Sequence, residues 1–587
     1  MFFRLQVLIA AAGLLVSSIT TCAAGNVLVE AESFRDKGGW KVDQQFADIM
    51  GSYFLLAHGM GRAVENAKTT LSFPTKGVYY LWVRTRNWAP GKWDAPGRFQ
   101  VVVDGKTVDS VLGTNPGWSW QSAGKVKISG TEVPIELKDL TGFDGRCDAL
   151  FFSTDSQNVP PDDLTKLAAW RRQISGLPEV PSATVEFDVV IVGGGIAGCA
   201  AALAADKQGL KVALIHDRPL LGGNASSEVR VHTLGIYGKG ETMLKGLDTK
   251  HWPNGSAKAI PDTTKRHKTM DAAKNVHQFL CWRAYDANTQ HSRITSIDAR
   301  QTESGEIKCF SAPVFIDCTG DGWIGYWAGA EFRYGRESSD TYAETWSKHG
   351  DKWSPKVADS RTMGSSLLWN SERAGAPVTF PEVPWAMDVA KGHAATSGEW
   401  YWEYSSNDKH QIDDAEEIRD HLLRAIYGSF SNAKKDPKNA NTRLKWVGYL
   451  SGKRESLRLV GDYIYTMTDA AERRTFPDTV VEERREIDVH YQLEKSSFLS
   501  RALFYKTGGT YYIPFRSLYS KNIDNLMMAG RCFSCSHIGL GGPRVMKTTG
   551  QMGIATGYAA WLCKKYKTTP RGIYKAHIEE LRGLIGY

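Results

Sequence analysis

The chain has 587 residues, a length that suits roughly two to four domains at about 100–200 residues each. With 42% hydrophobic and 23% charged residues it is a folding composition, which excludes wholesale disorder. The net charge is only +8, and basic residues come as pairs such as Arg484-Arg485 and Lys564-Lys565, so nucleic acid is excluded as a partner.

Residues 1–24 read as a signal peptide. Arg4 supplies the positive end, the apolar run from Leu8 to Ile19 is too short for a bilayer span, and Thr21-Cys22-Ala23-Ala24 offers small residues for cleavage. Cys22 is a possible lipid-anchor cysteine, although Ile19-Thr20-Thr21 is a poor lipobox. No later stretch is long and apolar enough for a transmembrane segment, so the expectation is an exported protein: periplasmic, cell-surface or secreted. Nine cysteines are too sparse for a disulfide scaffold.

Residues 25–155 show short strands with period-two alternation. Phe99, Val101 and Val103 lead into the Asp104-Gly105 turn, Val133, Ile135 and Leu137 alternate with polar residues, and Val78 to Thr85 is β-branched and aromatic. Together they predict an antiparallel β-sandwich. Trp88, Trp93, Trp118 and Trp120 lie in the connections, where they either stack on sugar rings or plug the ends of the sandwich. Residues 156–182 read as a linker containing a short helix that opens at Pro160-Pro161.

Phe187 to Val192 is a buried-strand run, followed at once by Gly193-Gly194-Gly195-Ile196-Ala197-Gly198 and an Ala-rich helix from Cys199. This is G-x-G-x-x-G in its strand–turn–helix context, the signature of a dinucleotide site. A second strand, Lys211 to Ile215, ends at His216 where an acid usually grips a ribose, and the acid follows as Asp217. Either Asp217 reaches the ribose or His216 replaces it. Three further glycine motifs follow: Arg218 to Asn224 with Gly222-Gly223, Thr319-Gly320-Asp321-Gly322 after a buried strand, and Ala529-Gly530-Arg531 before a small-residue helix from Gly550 to Leu562.

The order of these motifs over residues 186–565 resembles the bacterial FAD-dependent oxidoreductase family of the glutathione-reductase-like superfamily. The subgroup in question carries the Gly222-to-Glu228 loop, Tyr512-Ile513-Pro514-Phe515-Arg516 and Gly530-Arg531-Cys532. Similarly, Val29-Glu30-Ala31-Glu32, the run from Gly77 to Arg84 and the Asp104-Gly105 hairpin resemble the carbohydrate-binding-like domain of golvesin and xanthan-lyase-type proteins. These resemblances imply an α/β FAD-binding Rossmann-like domain over 183–587, with a substrate lobe inserted at 341–504, behind the all-β sandwich. FAD is the implied cofactor. It would be held by Gly193, Gly195, Ile196, Ala197, Gly198, Asp217 and Arg218, by Gly223, Asn224 and Ser226, by Thr319, Gly320 and Asp321, and by Gly530, Arg531, Arg544 and Val545. The implied activity is hydride transfer between flavin and a sugar or glycan-derived substrate. The alternatives are a redox-neutral carbohydrate lyase or hydrolase that oxidises its substrate transiently, and a non-catalytic glycan-binding protein.

The proton acceptor is expected at His537, ahead of His232, with His490 third. Arg230, Arg516 and Arg544 are candidates for phosphate or a substrate carboxylate, or for anchoring loops. Cys532-Phe533-Ser534-Cys535 invites a redox relay, but the flavoenzymes this region resembles have no second redox centre. No metal site is expected, because no second C-x-x-C or His pair completes one. The aromatic cluster Glu399-Trp400-Tyr401-Trp402-Glu403-Tyr404 either stacks on substrate or is core.

Overall fold

Strand alternation builds the N-terminal unit. In the computed structural model, which describes residues 22–23, 25–176, 180–345 and 350–587, the hub is the strand Phe143–Ser153. It pairs on one edge with Asn26–Glu30 and Phe54–His58, and on the other with Gly77–Thr85, which pairs with Ser119–Ile128. A second antiparallel sheet, Ala67–Ser72, Glu132–Asp139, Phe99–Val103 and Lys106–Thr107, packs over it. Phe99, Val101, Val103, Ile135 and Leu137 fill the space between the sheets, as their alternation requires. The predicted signal peptide, residues 1–24, lies outside the described residues apart from Cys22–Ala23.

Every residue of the hub strand is buried, because both of its faces are covered. Cys147, Leu150 and Phe152 enter the sandwich core. The opposite face carries Asp144, Arg146 and Asp148, then Ala149 and Phe151 after a register shift between Cys147 and Ala149. A bulge of this kind lets two successive residues share one face. Ala149 and Phe151 are covered by the helix Leu164–Ser175, whose Leu167 and Ile174 pack on them. The helix expected after Pro160-Pro161 thus runs over Leu164–Ser175 and docks on the sandwich. Asp148 pairs with Arg84 and Arg171, and Arg171 also reaches Glu30.

The second unit is α/β. A five-stranded parallel sheet runs in the order β3 (Val276–Leu280), β2 (Val212–His216), β1 (Val189–Val192), β4 (Val314–Asp317) and β5 (Leu526–Met528). Its apolar strands are covered on one face by α1 (Ile196–Lys207), which α3 (Met546–Tyr566) crosses. Small residues set that crossing. A Cβ added to Gly553 would meet the Ala197 carbonyl oxygen at 2.1 Å, and one at Gly557 would meet the Ala201 carbonyl at 2.3 Å. α1 starts inside the glycine motif at Ile196, and α3 starts at Met546, ahead of the predicted Gly550.

Between β4 and β5 the inserted lobe is organised by α2 (Ala415–Lys434), whose Ile418, Leu422, Ile426 and Phe430 form its buried stripe. That stripe shares a core with Trp369, Trp385, Trp402 and Tyr404, and with Trp88 and Phe143 of the sandwich. The aromatic cluster thus divides: Trp402 and Tyr404 are core, Tyr401 is exposed and Trp400 is half-buried. The sandwich tryptophans are engaged in packing. The Trp88 N–H donates to the Phe143 carbonyl at 2.8 Å, that of Trp118 to Glu416 at 3.0 Å, that of Trp120 to the Pro161 carbonyl at 3.2 Å, and that of Trp93 to the Ala89 carbonyl at 2.8 Å.

Candidate flavin and substrate site

A cavity of about 330 Å³ opens at the carboxyl ends of β1, β2 and β4, where an open α/β sheet places its ligand. The β1–α1 turn forms its floor. Gly193 has φ +107° and packs so closely that a Cβ would sit 2.2 Å from the Cys318 carbonyl oxygen. Gly195 precedes α1, and a Cβ there would meet nothing within 4 Å, so the helix N-terminus faces open space. No side chain caps that end, which leaves its N–H groups free for an anion. Ile196 and Ala197 also line the cavity, whereas Gly198 does not. Its role is packing, since a Cβ would lie 1.8 Å from the Gly193 carbonyl oxygen.

The departure at the end of β2 has a structural reason. His216 turns back into the glycine loop: its Nδ1 accepts the Gly194 N–H at 3.1 Å and its Nε2 lies 3.2 Å from the Leu220 carbonyl oxygen. Both contacts require the neutral Nε2–H tautomer, and burial lowers the pKa to about 4. Asp217 lines the cavity, and although burial works against its charge, His216, Arg218 and Arg283 hold it below the usual carboxylate range. Because His216 titrates near 6.5 when unfolded and near 4 when folded, its contribution is present above pH ~6.5 and is lost as pH falls towards 4. Acidification through this window should loosen the glycine turn and release flavin. His216→Asn, which keeps an acceptor for Gly194 but does not titrate, should shift that release to lower pH when free-flavin fluorescence is followed.

The remaining motifs converge on the same cavity. The Gly222 N–H donates to the Gly194 carbonyl at 2.8 Å, which ties the second glycine pair to the first and brings Gly223 and Asn224 to the wall. Ser226 is corrected: it is fully buried off the cavity, its Oγ accepting the Glu228 N–H at 3.4 Å. Asp317 accepts the Thr319 hydroxyl at 2.7 Å and the Ile324 N–H at 2.9 Å, which shapes the turn that presents Thr319, Gly320 and Asp321. Asp321 is buried, which would raise its pKa, yet Lys453 at 2.7 Å and Arg531 at 3.6 Å keep it low. Arg531 is thus answered by Asp321. Gly530, Arg544 and Val545 complete this side.

The residues fit a flavin dinucleotide. A free helix N-terminus faces the open cavity, and the buried Nε atoms of Arg531 and Arg544 have no protein partner.

Beyond Arg544 the wall is formed by His232, Leu234, Trp400 and Arg454. The Arg544 guanidinium donates to the Asp488 carbonyl oxygen at 2.9 Å, and burial lowers its pKa to about 10. The His232 Nδ1 lies 2.6 Å from Asn254 Oδ1, and the ring packs against Trp252 and Trp400. Burial is the main force lowering its pKa below the ordinary value.

His537, the first expectation for the proton acceptor, and His490 do not line the cavity. His537 is buried with Nδ1 2.8 Å from Glu455, inside a network in which Arg458 pairs with Glu455 and Glu337. The following glycines serve chain packing: a Cβ at Gly539 would lie 2.5 Å from the Tyr465 carbonyl oxygen. His490 stands behind the wall, between Glu403 at 2.5 Å and Asp488 at 3.3 Å. Arg516 pairs with Asp478 at 2.9 Å, and Arg230 lies over Trp446 at 4.2 Å, so of the three candidate arginines Arg544 faces the cavity. Cys532 and Cys535 are buried free thiols whose pKa values burial drives up, and they are unsuited to thiolate exchange. Sequence reasoning missed Arg283, Lys453 and Arg454, which stand outside any motif.

Among curated proteins, a urocanate reductase of Eggerthella lenta is 28% identical over 170 residues, covering 27% of this chain and 26% of its own. The match thus spans about a quarter of that relative's length. A geranylgeranyl bacteriochlorophyll reductase-like protein of Thermoplasma acidophilum covers 68% of this chain and 83% of its own, at 15% identity and TM-score 0.31. A family 35 carbohydrate binding module of Clostridium thermocellum covers 22% of this chain and 98% of its own, at 17% identity and TM-score 0.19. The family model described as FAD dependent oxidoreductase matches residues 188–585. With that match spanning the glycine turn, the Asp321 turn and the closing helix, this chain belongs to the FAD dependent oxidoreductase family and is an FAD-dependent enzyme.

Proposed function

We propose that the enzyme is exported and exchanges hydride with a small polyhydroxylated, sugar-derived substrate, with His232 as the proton acceptor. The observation that carries this reading is the continuous cavity, which runs from the glycine turn to Trp400, Arg454, Arg544 and His232. FAD held along the β1–α1 turn would supply a two-electron acceptor for hydride from a substrate C–H. The chain's own task is to hold that carbon in place and to take the hydroxyl proton. Asn254 Oδ1 fixes the proton of His232 on Nδ1, so Nε2 is the accepting atom. Trp400 offers a flat face for a ring, and Arg544 a cation for a carboxylate or a developing carbonyl oxygen. Export is supported by the pattern of residues 1–24.

The test is anaerobic mixing of the FAD-loaded enzyme with panels of neutral sugars, sugar acids and simple hydroxy acids. Bleaching of the flavin band by a sugar or sugar acid is the expected result, and reduction only by non-sugar substrates would overturn it. Sustained turnover of a sugar with no electron acceptor would identify the redox-neutral elimination instead.

A further inference from the structure

The cavity wall is not built by the flavin domain alone. Gln45, Phe46, Asp48 and Ile49, at the tip of the N-terminal sandwich, line it beside Asp217, Arg283 and the β1–α1 turn. The tip is held from two sides. The Gln44 side-chain amide donates to the Asp217 carbonyl oxygen at 3.0 Å, and Asp48 pairs with Arg283, whose guanidinium also lies 3.5 Å from the Asp217 carboxylate. On the other side, the Gln45 Oε1 accepts the Ser451 N–H at 2.9 Å, and its amide donates to the Tyr449 carbonyl at 3.1 Å. Phe46 is buried under Arg419, whose guanidinium carbon lies 4.8 Å from the ring centroid and which pairs with Asp43 at 2.9 Å.

We infer that this tip, residues 44–49, is part of the FAD site and closes over its adenosine half. The end of β2 marks the ribose of a dinucleotide in this topology, and Asp217, at that position, is joined through Arg283 to Asp48 of the sandwich. Asp48 is a positioning residue. By occupying one side of the Arg283 guanidinium, it prevents that cation from capturing Asp217 outright, which leaves the carboxylate an acceptor for ribose hydroxyls. Ile49 adds an apolar surface to the same cavity wall. The sandwich is then a permanent wall of the flavoprotein. This inference depends on the cofactor and not on the identity of the substrate.

The experiment compares FAD with FMN, which has the flavin, ribityl chain and one phosphate but no adenosine. Full-length apoprotein is titrated with each, following quenching of flavin fluorescence. Asp48→Ala and Ile49→Ala should each weaken FAD on the order of tenfold, about 1.4 kcal/mol, while leaving FMN affinity within about twofold of the parent. Asp48→Glu should restore FAD affinity. Unchanged FAD affinity in both alanine variants overturns the inference. So does parallel loss of FAD and FMN, because that pattern reports a general loss of folding and not an adenosine contact. Far-UV circular dichroism of each apoprotein separates that case directly.

Discussion

Replacing His232 with glutamine should leave FAD bound and slow flavin reduction by the true substrate on the order of 10²–10⁴-fold, the usual contribution of a positioned base. The same group sets the acid limb of the wild-type profile. His232 must be neutral to accept a proton, so reduction should fall as pH drops through its pKa. Burial places that pKa below the ordinary value of about 6.5. Stopped-flow reduction across pH checks both points: the limb should vanish in the glutamine variant. His537→Ala is the matched control, expected to reduce at close to the parent rate while losing stability, because Glu455 loses a buried partner. A parent-like reduction rate in His232→Gln would remove this histidine from the chemistry.

The second large effect concerns the joint between the units. Arg146 projects from the sandwich hub strand, is fully buried, and pairs with Glu416 at 2.5 Å and with Asp420, both on α2. Arg146→Met should destabilise the protein by about 3 kcal/mol, at the low end for breaking a buried charge pair. The low end applies because Arg86 still reaches Glu416 and Arg419 still reaches Asp420. Adding Glu416→Gln and Asp420→Asn should not recover the loss, because Arg86 and the buried Arg419 would then each lose a carboxylate partner in turn. Urea unfolding of the three proteins tests this, and an Arg146→Met variant as stable as the parent would refute it.

These residues show what was legible in the chain. The glycine positions announce themselves because each answers a local steric demand: Gly193 needs positive φ, and Gly198 must sit against the turn between β1 and α1. Such demands act within a strand–turn–helix of about a dozen residues, so adjacent letters disclose them. His537 shows the limit of such local reading. It stands among glycines beside a flavin motif, and those glycines pack against neighbouring segments: a Cβ at Gly539 would meet the Tyr465 carbonyl oxygen, and one at Gly542 the Tyr511 hydroxyl. His232 and His537 look alike in sequence, and only the partners Asn254 and Glu455 distinguish a ring facing the cavity from one locked in a charge network.

By itself, then, the sequence determined the dinucleotide-binding parallel-sheet fold and the antiparallel sandwich, because periodicity and turn chemistry are local properties, while FAD entered through the resemblance of its glycine motifs to a known family. The tertiary structure decided which polar groups share the cavity. Asp48, Arg283 and Asp217 are separated by more than 200 residues at their extremes, and so are Asp321 and Arg531. No pattern in the chain encodes such distances. The same holds for Arg146 and α2: an arginine inside a strand reads as a solvent-facing residue until a second unit covers that face and turns its charge into a buried, paired one.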